Sequence, residues 1–499
     1  MGQDFPQSNV FAVIDLGSNS FHMLIAKHMA GGIHTIGRVK RKVRLAAGLN
    51  EKNVLSVEAM ERGWECLALF AERLQDIPAQ NISIVATATL RLATNSDHFK
   101  SEAERILGHK INVISGELEA KTIYKGVAHT SACQGRQLVI DIGGASTEVV
   151  IGQGFSAELY KSLDMGCVTF LEKYFCDGTL SKNNFDKAIA AAATVIAPIQ
   201  SQYIDMGWEL AIGASGTIQA IQEILAASGE SEVLTLERLL AIQKQTMQYA
   251  SIAQLQLPGL SEERRLVFVS GLAILIALFR SLEIQQMGLA GGALREGVLY
   301  SMISDFQNTD IRNRTLDGFT ERYHVDKRQA QRVTELSVKL AKQLAQSWQL
   351  DMAYITPILT AVAHLHEIGL VVDYKQYHQH SAYILNNTGM PGFSRTEKQL
   401  IVALTLGHRA DLSSKLFTGL GSQTLLATRL IRLTRLAVIL SMRRKDDVLA
   451  DFDVTMDKAD HLHFSFAGQW LSEHPLMLSE LEQEATYQHR MSWQLTIER

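Results

Sequence analysis

Residues 11–26 read FAVIDLGSNSFHMLIA, and residues 137–152 read QLVIDIGGASTEVVIG. Each stretch is an apolar run, an Asp, a turn rich in Gly and Ser or Thr, and a second apolar run. Asp15 aligns with Asp141, and Gly17 with Gly143. Two apolar runs joined by a tight turn predict a β-hairpin. Two copies in one chain predict two similar α/β domains, each opening with that hairpin. The device suits phosphate. Glycine lets the backbone turn tightly and approach an anion, while N–H groups and hydroxyls donate to its oxygens. An Asp at the strand end can hold a hard cation, directly or through water. One such hairpin could be a plain turn; the repeated Asp–apolar–Gly order makes coincidence a poor explanation.

The pattern continues outward from the hairpins. Residues 54–74 have helical periodicity, residues 82–86 (ISIVA) and 111–114 (INVI) are strand-like, and residues 117–127 read as a helix. In the second half, residues 210–212 and 287–289 are strands running into Gly213-Ala-Ser-Gly-Thr217 and Gly291-Gly292. Strands alternating with helices predict a mixed sheet in each half. From about residue 308 the texture becomes helical, over 327–348, 352–366, 380–388, 395–407 and 424–443. Short strands at 453–456 and 461–466, a helix over 470–490 and a last strand at 493–497 close the chain. The expected division is residues 1–124 and 125–307 for the two α/β domains, 308–445 for the helical domain and 446–499 for a small α+β unit.

Composition limits the function classes. The 499 residues carry a net charge of only −4, so a nucleic-acid binder driven by bulk charge is not expected. Cys66, Cys133, Cys167 and Cys176 form no C-x-x-C pair, which argues against disulfides and a thiolate zinc site and fits a reducing cytoplasm. The N-terminus lacks a basic-then-apolar leader, and Pro6 stands where a myristoylation signal after Gly2 needs Ser or Thr. The apolar stretch between Arg265 and Arg280 is too short to span a bilayer and reads as a core helix. A soluble cytoplasmic protein without a membrane or nucleic-acid partner is the expectation.

The paired loops resemble the two phosphate loops of the actin, hexokinase and heat-shock ATPase superfamily. Within it the chain resembles the exopolyphosphatase and pppGpp-phosphatase (Ppx/GppA) family. The matching segments are Asp15-Leu-Gly-Ser-Asn-Ser-Phe-His22, Ala86-Thr-Ala-Thr-Leu-Arg91, Ile114-Ser-Gly-x-x-Glu119-Ala120, Asp141-Ile-Gly-Gly-Ala-Ser-Thr-Glu148, Gly213-Ala-Ser-Gly-Thr217 and Gly292-Ala-Leu-Arg-Glu-Gly297. The resemblance implies two actin-like (ribonuclease H-like) domains with a cleft between them, followed by a helical HD-like domain and the α+β unit. It implies a magnesium-dependent phosphohydrolase of the pppGpp branch, which converts guanosine 5′-triphosphate 3′-diphosphate to the tetraphosphate; exopolyphosphatase activity is the alternative. A homodimer is also expected.

Carried over by resemblance, Asp15, Ser18, Asn19 and Ser20 line one side of the cleft, and Gly143, Gly144, Ala145 and Ser146 the other. Gly213 and Ser215 add to substrate binding. Asp141 and Glu148 resemble the magnesium-side carboxylates, Thr89 and Arg91 approach the attacked phosphate, and Glu119 resembles the catalytic base that aligns water against the phosphoanhydride. Glu117 reads as a solvated helix-start residue favoured by the helix dipole. Ala145 departs from the third glycine of many members and fits the pppGpp branch. A sugar or acetate kinase would need an acceptor pocket, and Glu119 argues against it; a non-catalytic nucleotide sensor is opposed by the intact carboxylates.

Two further features admit bland readings. The run Arg38-Val-Lys40-Arg41-Lys42-Val-Arg44 is either a solvated face or a funnel for a very acidic substrate, with Lys40 and Arg41 as substrate contacts. The imidazoles His364, His366, His378, His380 and His408 sit in the helical domain, where His366-Glu367 stands in place of a His-Asp pair. They are expected to be structural, with the domain shaping an entrance or a dimer contact.

Overall fold

The structure, a computed structural model, describes residues 9–29, 32–131, 135–229, 233–303, 310–457 and 460–498. Gly2, Pro6, Cys133 and the boundary expected at 307/308 lie outside the described residues. The chain forms two compact units, one holding Ile33–Thr309 with the strands before it, the other holding Asp310–Arg499.

The first unit contains two five-stranded sheets. One is built from β1 (Val10–Leu16), β2 (Ser20–Met29), β3 (Gly32–Lys42), β4 (Ile82–Ala86) and β5 (Asn112–Val113), in the order β3-β2-β1-β4-β5. The other uses β6 (Arg136–Ile142), β7 (Thr147–Gln153), β8 (Ser156–Leu163), β9 (Leu210–Gly213) and β10 (Met287–Leu289), in the order β8-β7-β6-β9-β10. The repeated hairpin is thus the seed of a repeated sheet. β1 pairs antiparallel with β2 and parallel with β4, and β6 does the same with β7 and β9. Each half is actin-like. β3 and β8, which periodicity did not single out, occupy equivalent places beyond their hairpins.

Both hairpins are buried on both faces, which explains their near-continuous apolar sequence. One core cluster joins Val13 and Leu24 of the first sheet to Val139 and Val150 of the second through Tyr124 and Val298. These two side chains belong to helices Gly116–Ala128 and Leu294–Met302. The helices approach so closely that a Cβ on Gly297 would lie 1.8 Å from the Thr122 carbonyl oxygen, a position only glycine can fill. The apolar stretch after Arg265 is the helix Arg265–Ser281, buried from Val267 through Phe279.

The second unit is helical over Ile311–Arg322, Lys327–Trp348, Met352–Leu365, Tyr377–Asn387, Arg395–Gly407 and Thr424–Leu440. It ends with β11 (Phe452–Met456), β12 (Leu462–Phe466), helix Pro475–Arg490 and β13 (Leu495–Ile497), in a sheet ordered β11-β12-β13. The last helix starts at Pro475 and not at Trp470, because proline suits the first turn, where its missing N–H has no intrahelical partner. One hydrophobic core runs through the helices and this sheet. A fully buried ion pair between Arg435 and Glu484, 2.7 Å apart, ties helix Thr424–Leu440 to helix Pro475–Arg490. By length and composition the segment Met352–Val371 could cross a membrane; 56% of its most apolar window is buried inside this unit.

Candidate active site

The turns of the two hairpins meet in the first unit. A Cβ on Gly144 would stand 2.8 Å from Ser18 Cβ and 3.3 Å from the Asn19 amide nitrogen, so the second loop needs glycine to lie against the first. Each loop is braced from behind. The Asn19 carbonyl accepts from the amides of Val43 and Arg44 (3.2 and 2.9 Å), and the Gly143 and Gly144 carbonyls accept from Cys167 and Val168 (2.9 and 2.8 Å). A cavity of about 260 Å³ opens here. Among its lining residues are Asp15, Asn19, Ser20, Lys40, Glu119, Asp141, Gly143, Gly144, Glu148 and Ser215.

Glu119 reaches the cavity from helix Gly116–Ala128. Ser115 caps that helix, its hydroxyl accepting from the Leu118 amide at 3.2 Å. Residues two apart on a helix point to nearly opposite sides, so Glu117 is exposed while Glu119 is only 6% exposed. Arg91 donates to Glu119 Oε2 at 3.1 Å and to the Ile114 carbonyl at 2.8 Å, fixing the carboxylate against its own helix start.

The electrostatics are those of crowded negative charge. Burial, then the neighbouring Glu148, pushes the Glu119 carboxyl well above its ordinary value, and Arg91 opposes the rise. Burial raises Glu148 too, against hydrogen bonds from Ser162 (2.8 Å) and Ser146. Asp141 is pushed up to about 7 by burial and by the charges of Glu148 and Asp15. Burial lifts Asp15 to about 6, with Arg295 pulling the other way. Asp15 Oδ1 is buried with no hydrogen-bond partner, as are the hydroxyls of Ser20 and Ser215. Hard oxygen donors with unmet negative charge fit a divalent cation of the magnesium kind. Among the described residues no three of these carboxylates bring ligand atoms within 4.8 Å of one another.

Several expected residues stand behind the cavity instead of lining it. Thr89 is fully buried on the short helix Ala88–Leu92, and its hydroxyl donates to Ser18 Oγ at 2.7 Å. Thr87 takes the lining position. Ser18, Ala145, Ser146 and Gly213 are buried around the loops, and Arg91 acts through Glu119. The basic run is part of strand β3, whose pleat splits it. Arg38 and Lys40 face the site side, 3.5 Å from Glu296 and 3.6 Å from Glu263. Arg41 points to the other face, where its charge acts on Cys66, and it does not line the cavity.

His22, Arg264 and Arg295 also line the cavity. His22 stands opposite Asp15 in the β1–β2 register, the place that Glu148 holds opposite Asp141. Its Nδ1 accepts from Arg295, and burial with the nearby cations Arg295, Lys40 and Arg264 keeps the imidazole neutral. His22 and Arg295 lie inside motif segments visible in the sequence. Arg264 has no local signal. Its guanidinium packs on Gly216, where a Cβ would lie 1.8 Å from Nη2. Gly216 opens helix Gly216–Ala227, whose N-terminus, with Ser215 and Gln219, faces the cavity and favours an anion.

Of the helical unit's imidazoles, His366 and His408 are hydrogen-bonded, whereas Nδ1 of His364 and Nδ1 of His378 are buried with no hydrogen-bond partner. Nδ1 of His366 meets the Ala363 carbonyl at 2.8 Å, and Nδ1 of His408 meets the Thr405 carbonyl at 2.6 Å. Glu367 is paired with Arg444. Among the described residues they include no group of three metal-ligating atoms.

The sequence profile of the Ppx/GppA phosphatase family matches residues 24–306, and that of Ppx/GppA phosphatase, domain III, matches residues 311–485. A guanosine-5′-triphosphate,3′-diphosphate pyrophosphatase of Pseudoalteromonas translucida (strain TAC 125) is 66% identical, covering 100% of both chains. The protein of the same name from Aliivibrio fischeri (strain MJ11) is 52% identical over 98% of each. Among solved structures, an exopolyphosphatase from Cytophaga hutchinsonii shares the fold with a TM-score of 0.54 at 23% identity, covering 59% of this chain and 97% of its own. With a duplicated sheet, two phosphate-type loops and a full-length match to these relatives, the chain belongs to the Ppx/GppA phosphatase family.

Proposed function

We propose that the chain hydrolyses the terminal 5′-phosphate of guanosine 5′-triphosphate 3′-diphosphate, giving the tetraphosphate and inorganic phosphate. The observation that carries the reading is Glu119, buried and held by Arg91 across a cavity from two glycine loops. Loop amides, Asn19, Ser20 and the N-terminus of helix Gly216–Ala227 bind the terminal phosphate. Lys40, Arg264 and Arg295 draw in the remaining charge. Mg²⁺, held by Asp141 and Glu148 with Asp15 nearby, would neutralise phosphate charge as the bridge breaks. Glu119 orients water and takes its proton while the oxygen attacks phosphorus; the bridging oxygen leaves on the nucleotide. A base whose carboxyl is lifted toward neutrality accepts that proton more readily.

The cavity is about 260 Å³, below the roughly 300–1,000 Å³ of sites that enclose a whole drug-sized ligand. It suits a phosphate terminus with the rest of the substrate outside, which supports the second reading, an exopolyphosphatase acting on chain ends. Phosphate release from pppGpp, long-chain polyphosphate and ATP, with magnesium or with excess EDTA, tests both. We expect the highest kcat/KM with pppGpp and no turnover in EDTA. A far higher value for polyphosphate per chain end selects the second reading, and full activity in EDTA removes the metal from the mechanism.

A further inference from the structure

The second unit carries a cluster that phosphate hydrolysis does not use. Asp457, His461 and His463 bring one carboxylate oxygen and two ring nitrogens within 4.8 Å of one another. We propose that these three residues form a zinc-type transition-metal site.

The geometry is built in three ways. First, His461, immediately before β12, and His463, within it, are two apart, so the alternation of extended backbone puts both imidazoles on one face; their ring centroids are 4.4 Å apart. Second, Asp457 is held by the backbone. Its amide donates to the His461 carbonyl at 3.1 Å, and its Oδ1 accepts from the His461 amide at 3.2 Å. That leaves Oδ2 toward the rings, 3.7 Å from His461 Nδ1 and 3.8 Å from His463 Nε2. Ligand atoms around a tetrahedral zinc with bonds of about 2.0–2.1 Å stand roughly 3.3 Å apart. Small side-chain rotations close the difference.

Third, the ring nitrogen that each histidine turns away from the cluster has an oxygen partner on or beside β13. His461 Nε2 is 2.8 Å from Thr496 Oγ1, and His463 Nδ1 is 3.7 Å from Glu498 Oε1. Such outer partners set the tautomer and aim of a metal-bound imidazole. Two imidazoles and one carboxylate favour zinc, copper or nickel over magnesium, which prefers oxygen. A three-residue set leaves the fourth tetrahedral position to water. The side chains are 26–48% exposed, so an ion can enter from solvent. A bound ion would join the segment after β11 to β12 and, through the outer partners, to β13.

The test uses the full chain without a histidine affinity tag, stripped of metal and titrated with zinc chloride by calorimetry in millimolar magnesium. We expect one equivalent of zinc to bind here. The variant His461→Ala/His463→Ala should lose that equivalent and keep its circular dichroism and phosphatase activity. Glu498→Gln should weaken binding about tenfold or more, as loss of an outer partner does. Cobalt should give the visible absorption of a four-coordinate ion in the unsubstituted chain only. No zinc uptake, or uptake unchanged in the double variant, overturns the proposal. If the double variant does not fold, His463→Gln is read in the same way.

Discussion

Replacing Asp141 by Asn should make the metal-free protein more stable at neutral pH while removing its activity. Asp141 is held at about 7 instead of 3.8, which at about 1.4 kcal/mol per pH unit corresponds to roughly 4 kcal/mol. The sign follows from proton counting. Below about pH 4 the carboxyl is protonated in both folded and unfolded chains and costs nothing. As pH rises toward about 7 the unfolded chain releases its proton and the folded chain keeps it, so stability falls. Above that range the loss is complete. The side chain keeps partial access to the cleft, so roughly 4 kcal/mol is a ceiling and about 2 kcal/mol is the expected gain for Asp141→Asn at pH 8. Urea unfolding in EDTA, read by pulsed hydrogen exchange of the β6 and β7 amides, reports this unit alone. The gain should vanish near pH 4 and grow to its full value by pH 8, and magnesium should stabilise the parent chain more than the variant. A variant less stable at pH 8, or a difference independent of pH, would refute the argument.

Glu119→Gln should lower kcat by roughly 10²–10⁴ with little change in substrate affinity, as expected for loss of a general base, whereas Glu117→Gln should do little. Single-turnover and binding measurements on both variants separate these outcomes, and equal modest losses would overturn the assignment. Lys40→Gln should raise KM most at low salt, because added ions screen the same attraction. Arg41→Gln, on the opposite face of β3, should leave the salt dependence of KM unchanged.

Much of this fold was legible because the decisive signal is local. The Asp-Leu-Gly-Ser and Asp-Ile-Gly-Gly turns specify their hairpins within a few residues, and their repetition discloses the duplicated sheet. Glu119 was legible through the family resemblance of its segment, and the Ser115 cap with the helix period explains why it, and not Glu117, turns inward. Other features depend on distant partners. Arg264 enters the cavity because residue 216 lacks a side chain 48 positions earlier in the chain, and no window of sequence contains both. The basic run read as one patch because composition ignores the pleat; only its membership of β3 separates Lys40 from Arg41. Thr89 was expected at the attacked phosphate, but the short helix Ala88–Leu92 turns it against Ser18 and leaves Thr87, just before that helix, to line the cavity.

The duplicated hairpins also give the site a direction. Two identical halves facing each other would present the same groups to both sides of a scissile bridge, and nothing would distinguish the attacked end from the departing one. The β1–β2 and β6–β7 registers break that equivalence at the position opposite the shared aspartate, with a neutral imidazole at 22 and a carboxylate at 148. Arg295 sits beside the imidazole and the serines beside the carboxylate, so one pole is electropositive and the other electronegative. A linear chain of phosphates placed between such poles has one favoured orientation. Directionality here comes from the divergence of two copies of one motif, not from a separate element added to the fold.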